Sequence, residues 1–329
     1  MKWKNILITV VMSVVIGSVV TLSHNVINPF DDKQPLVPRK SVQPDAKQPR
    51  ATTQTPVDVF EQLIPLHESK SPPGPYDWLA HHPEPGQPYA DYVKQDPVTP
   101  SQKKETIYIV MLGRFKAKQK EIVRLTADFM EIYFALPVRF LSPLSLEELP
   151  EKARRLHPQT RDKQVLSTYI IEEVLKPVKP DDAFCLIAFT ATDLWPGRGW
   201  NFVFGQASLE ARLGVWSIYR NGDPSTSPED YQRCLLRTLK TGTHEVGHMF
   251  SLYHCIYFEC NMNGSNHRRE TDQRPLWLCP ACLKKLHWVH PFNVSKRFAR
   301  LRAFCQEHHL PREADFFQRS QQIVDQYRP

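Results

Sequence analysis

The run His244-Glu245-Val246-Gly247-His248, followed by His254 and at once by Cys255, constrains this chain more than any other stretch. On a helix, residues four apart lie on one face, a turn from each other. His244 and His248 then direct two imidazoles to one point. Neutral imidazoles suit a tetrahedral, borderline-soft ion such as zinc. Glu245, beside the first histidine, reaches a water on an ion held by both and serves as the candidate general base. A third histidine completes a ligand set with one open corner. His254 sits six residues past His248, about 9 Å further along a continuing helix. It joins the site only if the chain turns sharply after His248. The spacing therefore predicts a zinc hydrolase centre, with His244, His248 and His254 as ligands and Glu245 as catalytic residue.

A second set follows. Cys255, Cys260, Cys279 and Cys282 have structural-zinc spacing, and Cys279-Pro280-Ala281-Cys282 reads as a knuckle that grips a metal with two sulfurs. Four thiolates close a tetrahedral shell, so this ion is expected to be structural, giving two zincs per chain. Two alternatives stay open at this point: disulfides among the four, and a redox pair built on the CPAC segment. Cys185, Cys234 and Cys305 read as small buried hydrophobes.

Lys and Arg total 42 against 35 acidic residues, but the two signs are interspersed. Such mixing describes a solvated surface rather than a nucleic-acid groove, and no nucleic acid is expected as a partner. Lys2 and Lys4 precede an uncharged stretch from Ile6 to Leu22. That is the short limit for a membrane span and long for a signal-peptide core. The expectation is a membrane anchor or signal segment over residues 1–22, with the leading lysines cytoplasmic. The remainder would lie outside the cytoplasm, membrane-anchored or secreted.

Residues 23–75 carry Pro29, Pro35, Pro38, Pro44, Pro49 and Pro56 among polar residues and read as a semi-rigid tether, with a short helix over Val57 to Ile64. Residues 76–329 are read as the globular domain. Strands are expected at Thr106–Leu112, Val138–Leu141, Ala183–Phe189, Asn201–Ala207 and Gly214–Tyr219. Helices are expected at Lys118–Tyr133, at Gln164–Leu175, and from Pro228-Glu229-Asp230 to about Tyr253, the last carrying the histidines. Strands alternating with helices predict an α/β (α+β) sandwich.

These residues resemble the archaemetzincin family of zinc metallopeptidases. The family pattern HExxHxxGxxHC, four residues, CxM and a later CxxC is matched by His244-Glu245, His248, His254-Cys255, Cys260, Met262, Cys279 and Cys282. Ser251 stands where the pattern has Gly. A non-Gly residue in a left-handed turn costs about 1–2 kcal/mol. Asp77-Trp78-Leu79, His82-Pro83-Glu84, Asp182 to Cys185, Trp200 to Leu209 and Gly264 to His267 also resemble the family's sequences. The resemblance implies a metzincin-like mixed sheet, a long active-site helix, a C-terminal zinc-stapled helical subdomain, and Met262 beneath the catalytic zinc. It also implies a peptide or protein substrate that pairs with the edge of the strand over Asn201–Ala207. An alternative function is a zinc-bearing, peptide-recognising scaffold whose catalysis Ser251 impairs. Oligomeric state is not legible.

Overall fold

The computed structural model describes residues 7–11 and 58–327. Its strands are β1 (Leu7–Val11), β2 (Thr106–Leu112), β3 (Val138–Phe140), β4 (Arg154–Leu156), β5 (Lys163–Leu166), β6 (Ala183–Thr190), β7 (Asp193–Trp195), β8 (Val203–Ser208) and β9 (Leu213–Ser217). The α-helices are α1 (Val59–Gln62), α2 (Trp78–His81), α3 (Tyr89–Lys94), α4 (Ala117–Phe134), α5 (Ser167–Tyr169), α6 (Pro228–Met249), α7 (Arg268–Gln273), α8 (Pro280–Val289), α9 (Val294–Glu307) and α10 (Pro311–Gln326).

The strands form one mixed sheet in the order β3-β2-β6-β9-β8-β7-β5-β4, with β1 added to β8. β3, β2, β6 and β9 run parallel, and β8 is antiparallel to β9. The central strands are apolar throughout because both faces are covered. In β2, Ile107, Ile109 and Met111 join one core while Tyr108, Val110 and Leu112 join the other. The first core is closed by α4, α6 and the C-terminal helices, through Phe129, Tyr133, Leu239, Val246, Leu286 and Phe317. The expected mixed α/β architecture is thus observed.

Two expectations are corrected. Lys163–Leu166 is a strand, not the start of a helix. Its pairing with β7 and the buried bond from Gln164 Nε2 to Asp193 Oδ2 (2.7 Å) override the helical periodicity. The chain then turns helical at Ser167 and continues as a π-helix over Ile170–Leu175.

The second correction concerns the membrane anchor. Leu7–Val11 pairs antiparallel with β8, Ile8 opposite Ala207 and Thr9 opposite Gln206. A segment hydrogen-bonded into the protein's own sheet is not a membrane-spanning helix. Among the described residues no helix is long and apolar enough to cross a membrane. The rest of the expected anchor lies outside the described residues. The localisation drawn from it, membrane-anchored with the domain outside the cytoplasm or secreted, loses its basis. The same pairing covers the β8 edge that was expected to be free for a peptide.

The tether expected over residues 23–75 lies outside the described residues up to position 57. From Asp58 the chain is packed: α1 is capped by Asp58, and Phe60 and Leu63 enter the main core.

Candidate metal centres

Helix α6 starts where its sequence says it should. Ser227 Oγ accepts from Asp230 N (3.0 Å), Pro228 occupies the first turn, and Glu229 and Asp230 face the positive end of the helix dipole. Two glycines let neighbours approach it. A Cβ on Gly242 would stand 2.4 Å from Met130 Cε of α4, and one on Gly247 would stand 2.5 Å from Met262 Sδ. Met262 is therefore packed directly against the helix between His244 and His248.

The helix stops at Met249, earlier than the periodicity suggests, and it stops in a Schellman turn. Ser251 N donates to His248 O (2.9 Å) and Leu252 N to Gly247 O (3.3 Å). Ser251 has φ of 65°, the left-handed conformation that glycine usually takes at this point. The reversal brings His254 back beside the other two histidines. Ring centroids lie 4.6 Å apart for His244–His248, 5.0 Å for His248–His254 and 5.4 Å for His244–His254.

Each ring is fixed through its outer nitrogen. His244 Nδ1 donates to Asn261 O (2.7 Å), His248 Nδ1 to Leu252 O (2.6 Å) and His254 Nδ1 to Glu84 Oε1 (2.7 Å). With Nδ1 carrying the proton, every Nε2 presents a lone pair. His244 Nε2 and His248 Nε2 stand 3.1 Å apart. Two lone pairs so close repel unless a cation lies between them, and ligands of one tetrahedral zinc are spaced by roughly 3.3 Å. One donor atom from each of the three histidines falls within 4.8 Å of the others. Burial holds His248 down at about 3 and His244 well below its ordinary range, so both are neutral. The donor set fits zinc.

Glu245 is 1 % exposed and its Oε2 has no hydrogen-bond partner. Burial pushes its carboxyl up to about 8, and the nearby Arg274 guanidinium opposes the shift. Arg274, also buried, donates from Nη1 to Asn263 O (2.9 Å). The same nitrogen lies 3.0 Å from His244 Nδ1, which already gives its proton to Asn261 O, so that contact is electrostatic rather than a hydrogen bond.

The four cysteines come together as well. Cys255, Cys260, Cys279 and Cys282 are buried free thiols with all four sulfurs within 4.8 Å of one another. Cys255 Sγ and Cys279 Sγ are 3.6 Å apart, close to the ~3.8 Å edge of a tetrahedral zinc–thiolate shell. Backbone amides point at the sulfurs: Met262 N and Cys279 N at Cys260 Sγ (3.4 and 3.2 Å), Cys282 N at Cys279 Sγ (3.5 Å). Hydrogen bonds from the other three thiols hold Cys255 well below the ordinary thiol range. Burial, with the neighbouring sulfurs, pushes Cys260 and Cys279 well above it. One negative charge among the four is thus favoured and further ones are resisted. The intervening loop folds around Asn263, whose Nδ2 donates to Cys255 O and Phe258 O.

A third group, Asp77, His267 and Glu270, is satisfied internally. His267 Nε2 donates to Asp77 Oδ1 (2.9 Å), and Glu270 accepts from Trp78 N and Asn266 N. It latches the start of α2 onto α7. A cavity of about 1070 Å³ opens beside it, but none of the three converging histidines lines that cavity.

Glu84 and Gln87 have no role in the sequence reading, yet both reach this centre. Glu84 Oε1 accepts from His254 Nδ1 and from Trp78 Nε1 (2.7 Å), and the Trp78 ring stands edge-on to His254 (5.2 Å). A carboxylate on the outer nitrogen of a ligand histidine is a recurrent device. In the sequence it is marked only by its place in His82-Pro83-Glu84, one of the segments that resemble the family, with no role attached to it.

Comparison with known proteins agrees with this chemistry. The model for Peptidase family M54 matches residues 171–288. Archaemetzincin-2 of Mus musculus is 35 % identical over 288 residues, covering 78 % of this chain and 76 % of that protein. Archaemetzincin-2 of Homo sapiens is 36 % identical over 259 residues, covering 69 % and 71 %. The crystal structure of archaemetzincin from Methanopyrus kandleri is 27 % identical and covers 58 % of this chain and 98 % of that one, with a TM-score of 0.46. With a relative this similar across three quarters of both lengths, the chain belongs to the archaemetzincin family and is a zinc metallopeptidase.

Proposed function

We propose that this peptidase works at a zinc held by His244, His248 and His254, and that a second zinc, held by Cys255, Cys260, Cys279 and Cys282, is structural. The observation that carries the reading is the convergence of three imidazoles, each with its outer nitrogen committed to an oxygen, with a buried carboxylate that has a free oxygen on the residue next to His244. Zinc, when bound there, supplies Lewis acidity that polarises a carbonyl and acidifies a water.

The chain's own residues supply the rest. Glu245 Oε2 takes a proton from the attacking water and carries it to the leaving amine. Burial makes that carboxylate a stronger base than an exposed one, and Arg274 limits the effect. Asn261 O, Leu252 O and Glu84 hold the rings in the tautomer that offers Nε2. Four thiolates leave no open corner, so the cysteine centre binds and staples without reacting. A peptide or protein is the substrate class. Its pairing with β8 would require the place that β1 occupies. We also take the metallopeptidase domain to start near Asp58 rather than at residue 76.

The alternative of a zinc-bearing scaffold without turnover rests on distortion at Ser251. The Schellman hydrogen bonds are intact and His254 lies beside its partners, so the geometry does not favour it. Peptide cleavage by the full chain tests the proposal. Wild type is expected to cleave and Glu245→Ala to lose the activity; equal rates would remove Glu245 from the mechanism.

A further inference from the structure

Ser251 occupies a turn position that ordinarily calls for glycine, and the surroundings of that turn are built from residues far upstream. Gln87, 2 % exposed, lies in the turn between α2 and α3. Its Nε2 donates to Ser251 O (3.0 Å) and Gln95 Oε1 (3.1 Å), while its Oε1 accepts from Tyr253 N and Lys285 Nζ (both 3.2 Å). Only one orientation of the amide satisfies all four. Val98 N donates to Ser251 Oγ (3.1 Å), and Tyr92 OH donates to Phe250 O (2.8 Å). Residues 250, 251 and 253 are thus each gripped by the segment 87–98. Gly86, at φ of 75°, permits the approach, since a Cβ there would stand 2.8 Å from Ile256 Cδ1.

The grip extends to the other centre. Lys285 is 3 % exposed and lies on α8, one turn beyond Cys282. Its ammonium donates to both the backbone and side-chain oxygens of Gln87. One glutamine therefore touches the turn that delivers His254 and, through Lys285, the helix that carries Cys279 and Cys282.

We infer that Gln87 is a positioning residue of the histidine centre: it holds Ser251 left-handed, keeps His254 beside His244 and His248, and couples that turn to the four-cysteine helix through Lys285. A non-glycine residue populates this backbone region less than the right-handed one by a factor on the order of ten. Without the brace the turn relaxes, and the three-histidine arrangement is present in a smaller fraction of molecules. Apparent metal affinity falls by that fraction. The effect on zinc rests on the proposed three-histidine site; the effect on the turn does not.

The test is a four-variant cycle in the full chain: wild type, Gln87→Ala, Ser251→Gly, and both together. Two quantities are read. One is retention of the histidine zinc against a graded chelator, followed by elemental analysis. The other is amide hydrogen exchange at Ser251 to His254. Gln87→Ala is expected to weaken retention about tenfold and to speed exchange about tenfold with Ser251 present. In the Ser251→Gly background the same change costs no more than about threefold, because glycine takes the conformation unaided. An equal penalty in both backgrounds, or none in either, overturns the inference. If Gln87→Ala does not fold, Gln87→Glu enters the same cycle; it keeps the acceptor for Lys285 and Tyr253 and loses only the donor to Ser251 O and Gln95. Should no zinc be retained by the histidines even in wild type, the three-histidine reading fails, and hydrogen exchange still decides the role of Gln87.

Discussion

The histidine cluster ends at His254 and the cysteine cluster begins at the next residue, Cys255, yet the two differ in what surrounds their donor atoms. Burial separates them only slightly: His244 and His248 are each 2 % exposed and the His254 side chain 9 %, against 0 to 3 % for the four cysteines. The donors separate them further. Three imidazoles tied by their outer nitrogens would leave one corner of a tetrahedral ion open, and the residue next to His244 on the helix, Glu245, is a buried carboxylate with a free oxygen. Four thiolates would close a tetrahedral shell, and backbone amides point at two of the sulfurs. On the proposed reading, the difference in reactivity follows from donor count and from the company each cluster keeps.

The comparison breaks most visibly at the closed cluster. Structural zinc supplies apparent free energies of ~10–16 kcal/mol in small domains. Cys279→Ser is expected to release one zinc and lower the thermal midpoint by roughly 10 °C or more, seen by elemental analysis and calorimetry. A cysteine variant that keeps its metal and its midpoint would return the four thiols to the redox or disulfide readings.

At the open cluster the chemistry goes and the fold stays. Glu245→Gln is expected to cut peptide hydrolysis by about 10²–10⁴, with both zincs and the melting curve unchanged. A matching loss of metal would mean that the residue holds structure rather than a proton.

A pH effect separates the clusters further. His67 packs between Phe258, in the cysteine loop, and Phe316, with Nδ1 unpartnered. Burial pushes it from 6.5 down to about 4. The unfolded chain binds this proton below pH 6.5 and the folded chain refuses it until about pH 4. The stability is therefore complete above pH 6.5 and falls as pH drops toward 4, by about 3 kcal/mol. His67→Phe should flatten that part of the stability–pH curve in denaturant titrations. An unchanged slope would assign acid lability elsewhere.

The smallest effect belongs to Glu84. Glu84→Gln is expected to weaken zinc at the histidines by 10- to 100-fold, the usual range for an outer-shell partner, while the cysteine zinc stays. Equal loss from both clusters in chelator competition would show that Glu84 serves the fold at large.

What the sequence made legible was whatever repeats locally. The turn-spaced histidines, the cysteine spacing and the apolar runs of β2 and β6 each announce themselves within a short stretch. The spacing requires a turn before His254, and Ser251 could be placed in it because the resembled family pattern has Gly at that position. The roles of Glu84 and Gln87 could not be read. These residues lie 170 and 164 residues upstream of the groups they hold, in a proline-rich turn with no periodicity, and only the fold brings them to the site. Gln164 misled for a related reason: its buried bond to Asp193 and pairing with β7 override a helical pattern that the local sequence supports. Ile6 to Leu22 misled because an uncharged apolar run reads alike as a membrane span or as a sheet strand, and Leu7–Val11 pairs with β8.

The most direct test of the account is anomalous diffraction at the zinc edge from crystals of the full chain. Two peaks are predicted, one bounded by Nε2 of His244, His248 and His254 with a single coordination position left over, the other enclosed by the four sulfurs. A peak at the cysteines alone, or a histidine peak with the His254 ring turned away and another protein atom in its place, would contradict it.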